Sequence, residues 1–238
     1  MTEAPSRRAD TRARIIDAAA RLLQEDGPAA VTTRGVAEAA GVQAPAIYRL
    51  FGDKDGLLEA VAEHVMATHV FAKAAIVRAA SEDEVDPLDD LRAGWQTQIE
   101  FGVANPALFR LFSDPDRVLR SPAARSGRRV LESRVHRVAE SGRLRVSERR
   151  AVDLIQAAGI GTIQTLLATP PEDRDPALAE TMFEAVLRQI LVDAPGGTAG
   201  GSTATAVAFR AIAPGLTALT EGERRLLTEW LDRVIAGG

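Results

Sequence analysis

The chain of 238 residues contains no cysteine. A disulfide framework, a thiol nucleophile and a thiolate metal site are therefore excluded as explanations of its function. The chain also lacks a run of 18 consecutive apolar residues, and its N-terminus lacks a basic segment followed by an apolar one. We therefore expect a cytoplasmic protein without a membrane-spanning segment.

β-strand patterns are scarce as well. No alternation of apolar and polar residues is sustained, whereas apolar residues recur every three or four positions along most of the chain. The first such stripe consists of Ile15, Ile16, Ala19, Leu22 and Leu23. This periodicity predicts an all-α protein.

Helix start and stop signals divide the N-terminal region into four predicted helices. Gly27 and Pro28 end the first helix, and Thr32 or Thr33 caps a short second one that ends at Gly41. The second helix is predicted to bury Val36, Ala37 and Ala40, and the third has Pro45 in its first turn. Asp53 caps a long fourth helix. Its inward side carries Leu57, Leu58, Val61 and Val65, with Phe71 at the edge of that stripe.

The remaining chain is predicted to form further helices near 88–104, 106–113, 122–141, 147–169 and 175–193. A Gly-rich linker over 194–202 leads to a last amphipathic helix, about 221–236, which we expect to dock through Trp230. The predicted domains are a helix-turn-helix domain over 1–56, a helical body over 57–193, and the linker with the C-terminal helix over 194–238.

The two short helices around Gly41 have the spacing of a helix-turn-helix. In such a unit the second helix enters the major groove, so that Gln43, Ala44, Ala46 and Arg49 are its groove-facing candidates. Phosphate contacts are expected from Thr33, Arg34, Tyr48 and Lys54, and Arg7, Arg8, Arg12 and Arg14 add positive charge near the N-terminus. Spacing alone leaves open a helical protein that does not bind DNA.

Residues 12–58 resemble the DNA-binding domain of the TetR family of repressors. The resemblance rests on Thr33-Arg34, Gly41-Val42, Ile47-Tyr48, Phe51 and Lys54. It implies that Thr33, Tyr48 and Lys54 hold phosphates and that Arg34, Gln43, Ala44, Pro45, Ala46 and Arg49 face bases or the groove wall. Three residues depart from the family pattern. Gln43 stands where Ser is frequent, Ala46 where Thr or Ser is frequent, and Leu50 where His is frequent. These differences are expected to alter the operator sequence that is bound.

The resemblance also implies a homodimer whose last two body helices form a four-helix bundle across a two-fold axis. The helices over 147–169 and 175–193 take that position. The interface residues expected are Ile155, Gly159, Ile163, Leu166, Phe183, Val186, Leu187 and Ile190. The alternative is that these residues form the core of a single chain.

A ligand pocket is expected in the helical body. Aromatic and polarisable side chains recur there at helical spacing, and an apolar or amphipathic small molecule fits such a lining. The pocket candidates are Met66, His69, Trp95, Phe101, Phe109 and Phe112. Packing in the core is the alternative for each of them.

The sequence therefore predicts an all-α protein with a three-helix helix-turn-helix DNA-binding domain and a helical ligand-binding and dimerisation domain. The function expected is a ligand-responsive transcriptional regulator, most simply a repressor, that binds a near-palindromic double-stranded operator as a homodimer. No cofactor, metal or membrane is expected. An enzyme is disfavoured, because no phosphate loop, nucleophile motif or metal cluster is found. A helical module that binds protein instead of DNA is the other alternative.

Overall fold

The computed structural model describes residues 3–25, 30–65, 85–113, 115–192 and 201–237, and most of these residues lie in helices. Within those ranges no strand occurs, and Leu144 and Leu191 form one isolated antiparallel bridge. The helices are α1 (Glu3–Glu25), α2 (Thr33–Ala39), α3 (Ala44–Phe51), α4 (Lys54–Val65), α5 (Pro87–Ala104), α6 (Pro106–Phe112), α7 (Pro115–Arg120), α8 (Pro122–Glu140), α9 (Glu148–Ala168), α10 (Leu178–Ile190), α11 (Gly201–Ile212) and α12 (Glu221–Gly237). The expected stop at Gly27 and Pro28, the expected edge residue Phe71 and most of the expected linker lie outside the described residues.

The chain divides into two compact units. The first comprises residues 1–82 with 105–126, and the second comprises residues 83–104 with 127–238. This division differs from the expected boundary at residue 56, since α4, α6 and α7 belong to the first unit together with the helix-turn-helix. The C-terminal helix, expected to form a separate segment, belongs to the second unit.

The first unit is built around α1, which packs on α2 and α4. Its buried stripe contains Ile15, Ile16, Ala19 and Leu23, as the sequence predicts, whereas Leu22 is half-buried. The helices α2, α3 and α4 follow one another, α3 packs on both α2 and α4, and α4 also contacts α6. Because each helix turns its apolar stripe toward the core, the stripes determine how the helices of this unit are rotated about their axes.

The core of the second unit lies where α5, α9 and α10 meet. Trp95 of α5 stacks on Phe183 of α10, with ring centroids 5.1 Å apart, and its indole N–H donates to the Ala179 carbonyl at 3.0 Å. Gly102 of α5 lies against the Ile163 side chain of α9 so closely that a Cβ there would come within 2.6 Å of it. The absent side chain therefore allows these two helices to approach each other.

Ion pairs join the helices of the second unit. The Asp90 carboxylate, only 6% exposed, accepts from Arg134 at 3.1 Å and from Arg137. Arg143 donates two hydrogen bonds to Asp86, which with the backbone N–H of Leu88 hold the pKa of that carboxyl at about 2, below its usual value of 3.8. Arg134 and Arg137 of α8 thus neutralise Asp90 of α5, and Arg143 neutralises Asp86 just before α5. These opposite charges lie far apart in the sequence.

The last two helices, α11 and α12, pack on each other as a hairpin joined by the short 3₁₀ turn Ala213–Gly215. The sequence did not predict α11, because Gly, Ser, Thr and Ala dominate it. Among the described residues the docking expected through Trp230 is not observed: Trp230 is 53% exposed, and none of the α12 residues described is buried. Its partly buried side is formed by Leu227, Leu231 and Ile235 instead.

Among the described helices, α9 alone is long and apolar enough to cross a membrane by length and composition. A third of its most apolar window is buried in the protein. Core helices of proteins that never enter a membrane meet the same criterion, and α9 packs on both α5 and α10. Its apolar character is therefore explained by helix packing.

Candidate nucleic-acid interface

The first helix of the helix-turn-helix begins at a well-formed cap. Thr32 has an extended backbone, and its side-chain oxygen accepts from the N–H of Gly35 at 3.0 Å, which identifies Thr32 rather than Thr33 as the capping residue. A Cβ on Gly35 would meet the Ala30 carbonyl and the Thr32 hydroxyl, each at 3.1 Å. The absence of a side chain at Gly35 therefore leaves room for the capping hydroxyl of Thr32.

The turn between α2 and α3 is fixed by a glycine and an arginine. Gly41 has a φ of +63°, a left-handed conformation that L side chains disfavour, and the N–H of Val42 donates to the Ala37 carbonyl at 2.9 Å. Arg14 of α1 donates to the Ala40 carbonyl at 2.7 Å. A cation from another helix thus satisfies the carboxyl end of α2 and holds the turn on α1.

Helix α3 buries one side and presents the other. Ile47 is fully buried, whereas Gln43, Pro45, Tyr48 and Arg49 are exposed. Ala44 and Ala46, also expected in the groove, are half-buried. Exposed polar side chains on one face of a helix beside a tight turn have the arrangement required to reach base edges in a major groove.

Two candidate phosphate ligands from different helices contact each other. The hydroxyls of Thr33 in α2 and Tyr48 in α3 lie 3.4 Å apart, and Tyr48 is 53% exposed. Arg34, next along α2, is exposed as well. The two hydroxyls therefore lie side by side next to the exposed side of α3, and we call this pair the Thr33–Tyr48 ridge.

The start of α4 contributes the remaining predicted contact residue. Gly52 has a φ of +84° and ends α3, and the Asp53 carboxylate then accepts from the N–H of Gly56 at 2.8 Å as the cap of α4. Lys54, exposed in the first turn, is held at a defined position by this cap. The predicted cap at Asp53 is confirmed.

The N-terminal arginines have divided roles. All four lie within α1, where Arg12 stacks its guanidinium over the Phe51 ring at 5.4 Å and Arg14 caps α2. Arg7 and Arg8 are exposed. Two of these four arginines thus hold the helix-turn-helix together, and the other two stay exposed.

The predicted ligand-pocket residues are not brought into one site by the described part of the chain. Met66 and His69 lie outside it, and the side chain of Phe112 is likewise not described. Trp95 is a core residue, and the half-buried Phe101 and Phe109 belong to different compact units. The pocket therefore stays a prediction.

The predicted dimer-interface residues all lie in the interior of one chain. Each is buried: Ile155, Gly159, Ile163, Leu166, Phe183, Val186, Leu187 and Ile190. A side chain enclosed by its own chain is not available to a partner, so the structure assigns these eight residues to the core. The helices on which they lie are present as predicted, and these eight residues occupy their inward sides.

The outward face of α9 is made of small and polar residues, namely Asp153, Ala157, Gly161, Gln164, Thr165 and Ala168. A Cβ on Gly161 would meet no atom within 4 Å. On α10 the exposed residues include Thr181, Ala185, Arg188 and Gln189. Ala157, Gly161 and Thr165 are spaced four residues apart on this face, and small residues at that spacing permit another helix to approach closely.

A known family covers the region whose geometry is described above. Residues 15–61 match the family model described as bacterial regulatory proteins of the tetR family. The transcriptional regulator TtgR of Pseudomonas putida is 43% identical over 84 residues, which are 35% of this chain and 38% of TtgR. The chain thus spans well under half of the length of this relative.

Solved structures extend the similarity of fold to most of the chain. RolR, determined with resorcinol bound, superposes with a TM-score of 0.58 at 20% identity and covers 86% of this chain and 95% of its own. The fatty acid degradation regulator FadR of Bacillus halodurans gives a TM-score of 0.55 at 20% identity, covering 74% and 94%. At this identity the agreement concerns the all-α architecture of a helix-turn-helix domain followed by a helical body.

Proposed function

Because the chain belongs to the TetR family of bacterial regulatory proteins, we propose that it is a DNA-binding transcriptional regulator of the cytoplasm. The observation that carries this proposal is the exposed side of α3, with Gln43 and Arg49 set beside the Thr33–Tyr48 ridge. Arg49 is suited to donate two hydrogen bonds to guanine O6 and N7, and Gln43 is suited to adenine. The relatives named above are regulators rather than enzymes.

Phosphate contacts are assigned to Thr33, Tyr48 and Lys54, with Arg34, Ala44, Pro45 and Ala46 at bases or the groove wall. The net charge of −4 does not oppose this assignment, because the local charge at the contact face decides whether a phosphate is attracted. Arg34, Arg49 and Lys54 are exposed on that face. Phosphate contacts then set the register, and base contacts set the sequence.

The regulator acts as a homodimer in this proposal. Two copies place their α3 helices in successive major grooves about 34–36 Å apart, and the operator mirrors this two-fold symmetry. The contact surface is assigned to the outward faces of α9 and α10, since their inward faces form the core. Small residues such as Ala157 and Gly161 permit the close approach of two such helices.

Release from the operator is assigned to a small apolar or amphipathic effector that binds in the helical body. The effector needs a preference of only a few kcal/mol for the conformation that does not bind DNA. Repression is the simplest mode of action, because a bound dimer obstructs transcription without any further contact.

The test is selection of bound fragments from the source genome by the purified full-length chain, read by sequencing at near-physiological salt. Recovery of a near-palindromic site is expected. Recovery of fragments without sequence preference, with binding lost on a modest increase in salt, would contradict the proposal and favour a helical module that binds protein.

Two variants separate the roles within the DNA-binding face. Arg49→Ala is expected to cost about 1–3 kcal/mol of binding free energy and to relax base preference at one operator position.

Lys54→Ala is expected to weaken binding to all sequences alike and to reduce the slope of log affinity against log salt concentration by about one unit. Fluorescence anisotropy on matched and mismatched operators measures both, and a specificity change for Lys54→Ala would reverse the assignment.

A further inference from the structure

The C-terminal hairpin of α11 and α12 carries most of the large apolar side chains that the described part of the chain exposes. Five of the eight such residues lie on it, each between 40% and 53% exposed: Phe209, Ile212, Leu226, Trp230 and Val234. Leu226, Trp230 and Val234 follow one another at intervals of four, which places them in one row along α12. Clustered apolar exposure of this kind marks an interaction surface.

The hairpin is a formed element rather than a loose tail. Its inner side buries Val207 and Ala211 of α11, and Arg210 pairs with Asp232 across the two helices at 2.9 Å. At the start of α12, Thr220 and Glu223 bond reciprocally in a capping box, with the backbone N–H of Thr220 donating to the Glu223 carboxylate at 2.8 Å. The apolar row is therefore held on an ordered helix.

The hairpin lies beside the beginning of α9. A cleft of about 480 Å³ is lined on one side by Val207, Arg210, Asp232 and Ile235 of the hairpin and on the other by Ser147, Glu148, Arg149 and Val152, with Arg128 and Glu132 of α8. Arg128 also donates to Asp153 at 2.9 Å, and Asp153 is the first residue of the outward face of α9. The hairpin thus adjoins the surface assigned to the homodimer.

The outward faces of α9 and α10 offer little to hold a stable dimer on their own. Their exposed residues are small or polar, and neither helix contains an aromatic residue other than the buried Phe183. Stable interfaces bury roughly 800 Å² on each partner and are anchored by large aromatic side chains near their centre. Trp230 and Phe209 of the hairpin are side chains of that kind.

We propose that the exposed apolar row of α12, with Phe209 and Ile212 of α11, packs against a second copy of this chain and anchors the homodimer. This inference rests on the homodimer of the proposed function. In a two-fold interface each row occurs twice, so that any substitution in it acts at two places.

Sedimentation equilibrium of the full-length chain over a range of concentrations tests the proposal. The double variant Leu226→Glu, Trp230→Glu is expected to raise the dimer dissociation constant about tenfold for each copy of the row and so about a hundredfold in total. Leu119→Glu is the matched control, because Leu119 is a leucine that is 77% exposed on α7 of the other unit. It is expected to leave the dimer constant unchanged.

A second measurement on the unmodified chain avoids any effect of the substitutions on folding. Trp95 is 2% exposed, so its fluorescence emission stays constant on dilution, and a change in the summed emission reports Trp230. A shift to longer wavelength is expected as the dimer dissociates, because Trp230 then meets water.

The outcomes separate this inference from the proposed function. A chain that is monomeric at every concentration would overturn both the homodimer and the anchor. A stable dimer with the same constant in the double variant, and with tryptophan emission independent of dilution, would overturn the anchor alone. If the double variant loses helicity by circular dichroism, the dilution measurement on the unmodified chain decides.

Discussion

At the scale of single residues, arginines of similar sequence context have different roles. Arg14 caps the carboxyl end of α2 and Arg12 covers the Phe51 ring, whereas Arg34 and Arg49 are exposed on the candidate DNA-binding face. Composition and spacing identify all of them as positive charges. Only the position of the neighbouring carbonyl or ring decides which arginine holds the fold together and which is available to DNA.

Arg14→Ala is expected to lower the free energy of unfolding by about 1–2 kcal/mol, because the partly buried Ala40 carbonyl loses its charged donor. Urea denaturation followed by circular dichroism measures this. Arg8→Ala, at an exposed position of the same helix, is the control and is expected to change stability by less than about 0.5 kcal/mol. Equal effects of the two variants would show that the cap contributes nothing.

The Asp86–Arg143 pair is expected to make stability depend on acidity. The folded pKa of Asp86, about 2, lies below its ordinary value of 3.8, so the pair stabilises the fold above pH 3.8 and loses that contribution as the pH falls toward 2. Asp86→Asn should therefore differ most from the parent chain at neutral pH and least near pH 2, in urea titrations across this range. A difference that grows on acidification would contradict the assignment.

At the scale of elements, apolar periodicity predicts helices well. The expected helices near 88–104 and 122–141 correspond to α5 (Pro87–Ala104) and α8 (Pro122–Glu140), because Pro at each N-terminus marks the boundary. The two helices that were not predicted, α7 and α11, have weak or misleading composition. Periodicity also fails to distinguish the core side of α9 from its outward side, since both contain residues that favour close packing.

Gly102→Ala is expected to destabilise the second unit by about 1–3 kcal/mol, because the new Cβ would lie 2.6 Å from Cδ1 and 2.8 Å from Cγ2 of Ile163. Thermal and urea denaturation measure the loss. Gly222→Ala on α12 is the matched control, since no atom lies within 4 Å of the added Cβ, and it should be neutral or slightly stabilising. A neutral result for Gly102→Ala would mean that α5 and α9 approach less closely.

At the scale of the whole molecule, the chain comprises two compact units. The first presents the exposed side of α3, and the second supplies the core and the outward faces of α9 and α10 that we assign to a partner. The net charge of −4 belongs to the whole chain and not to the DNA-binding face. In the proposed homodimer, specific recognition of DNA depends on the distance between the two α3 helices.

Insertion of five base pairs between the half-sites of the selected operator is expected to reduce affinity to the level of nonspecific DNA, about 10³-fold or more. The insertion turns one half-site to the opposite side of the duplex, out of reach of the second α3 helix. Electrophoretic mobility shift assays at fixed salt measure the change. Substitution of central base pairs without a change of length is the control, and an unaffected affinity after insertion would indicate monomers that bind independently.

The sequence by itself determined the helical class, most helix boundaries, the caps at Thr32 or Thr33 and at Asp53, and the exposed character of Gln43, Tyr48 and Arg49. These features follow from local interactions, because capping, turn geometry and periodicity act over a few neighbouring residues. The tertiary structure decided that Ile155 and Ile163 belong to the core of one chain, that Asp90 is neutralised by Arg134 and Arg137, and that Trp230 is exposed. Each of these depends on which distant helix lies opposite, and the spacing of residues along one helix carries no information about its neighbour.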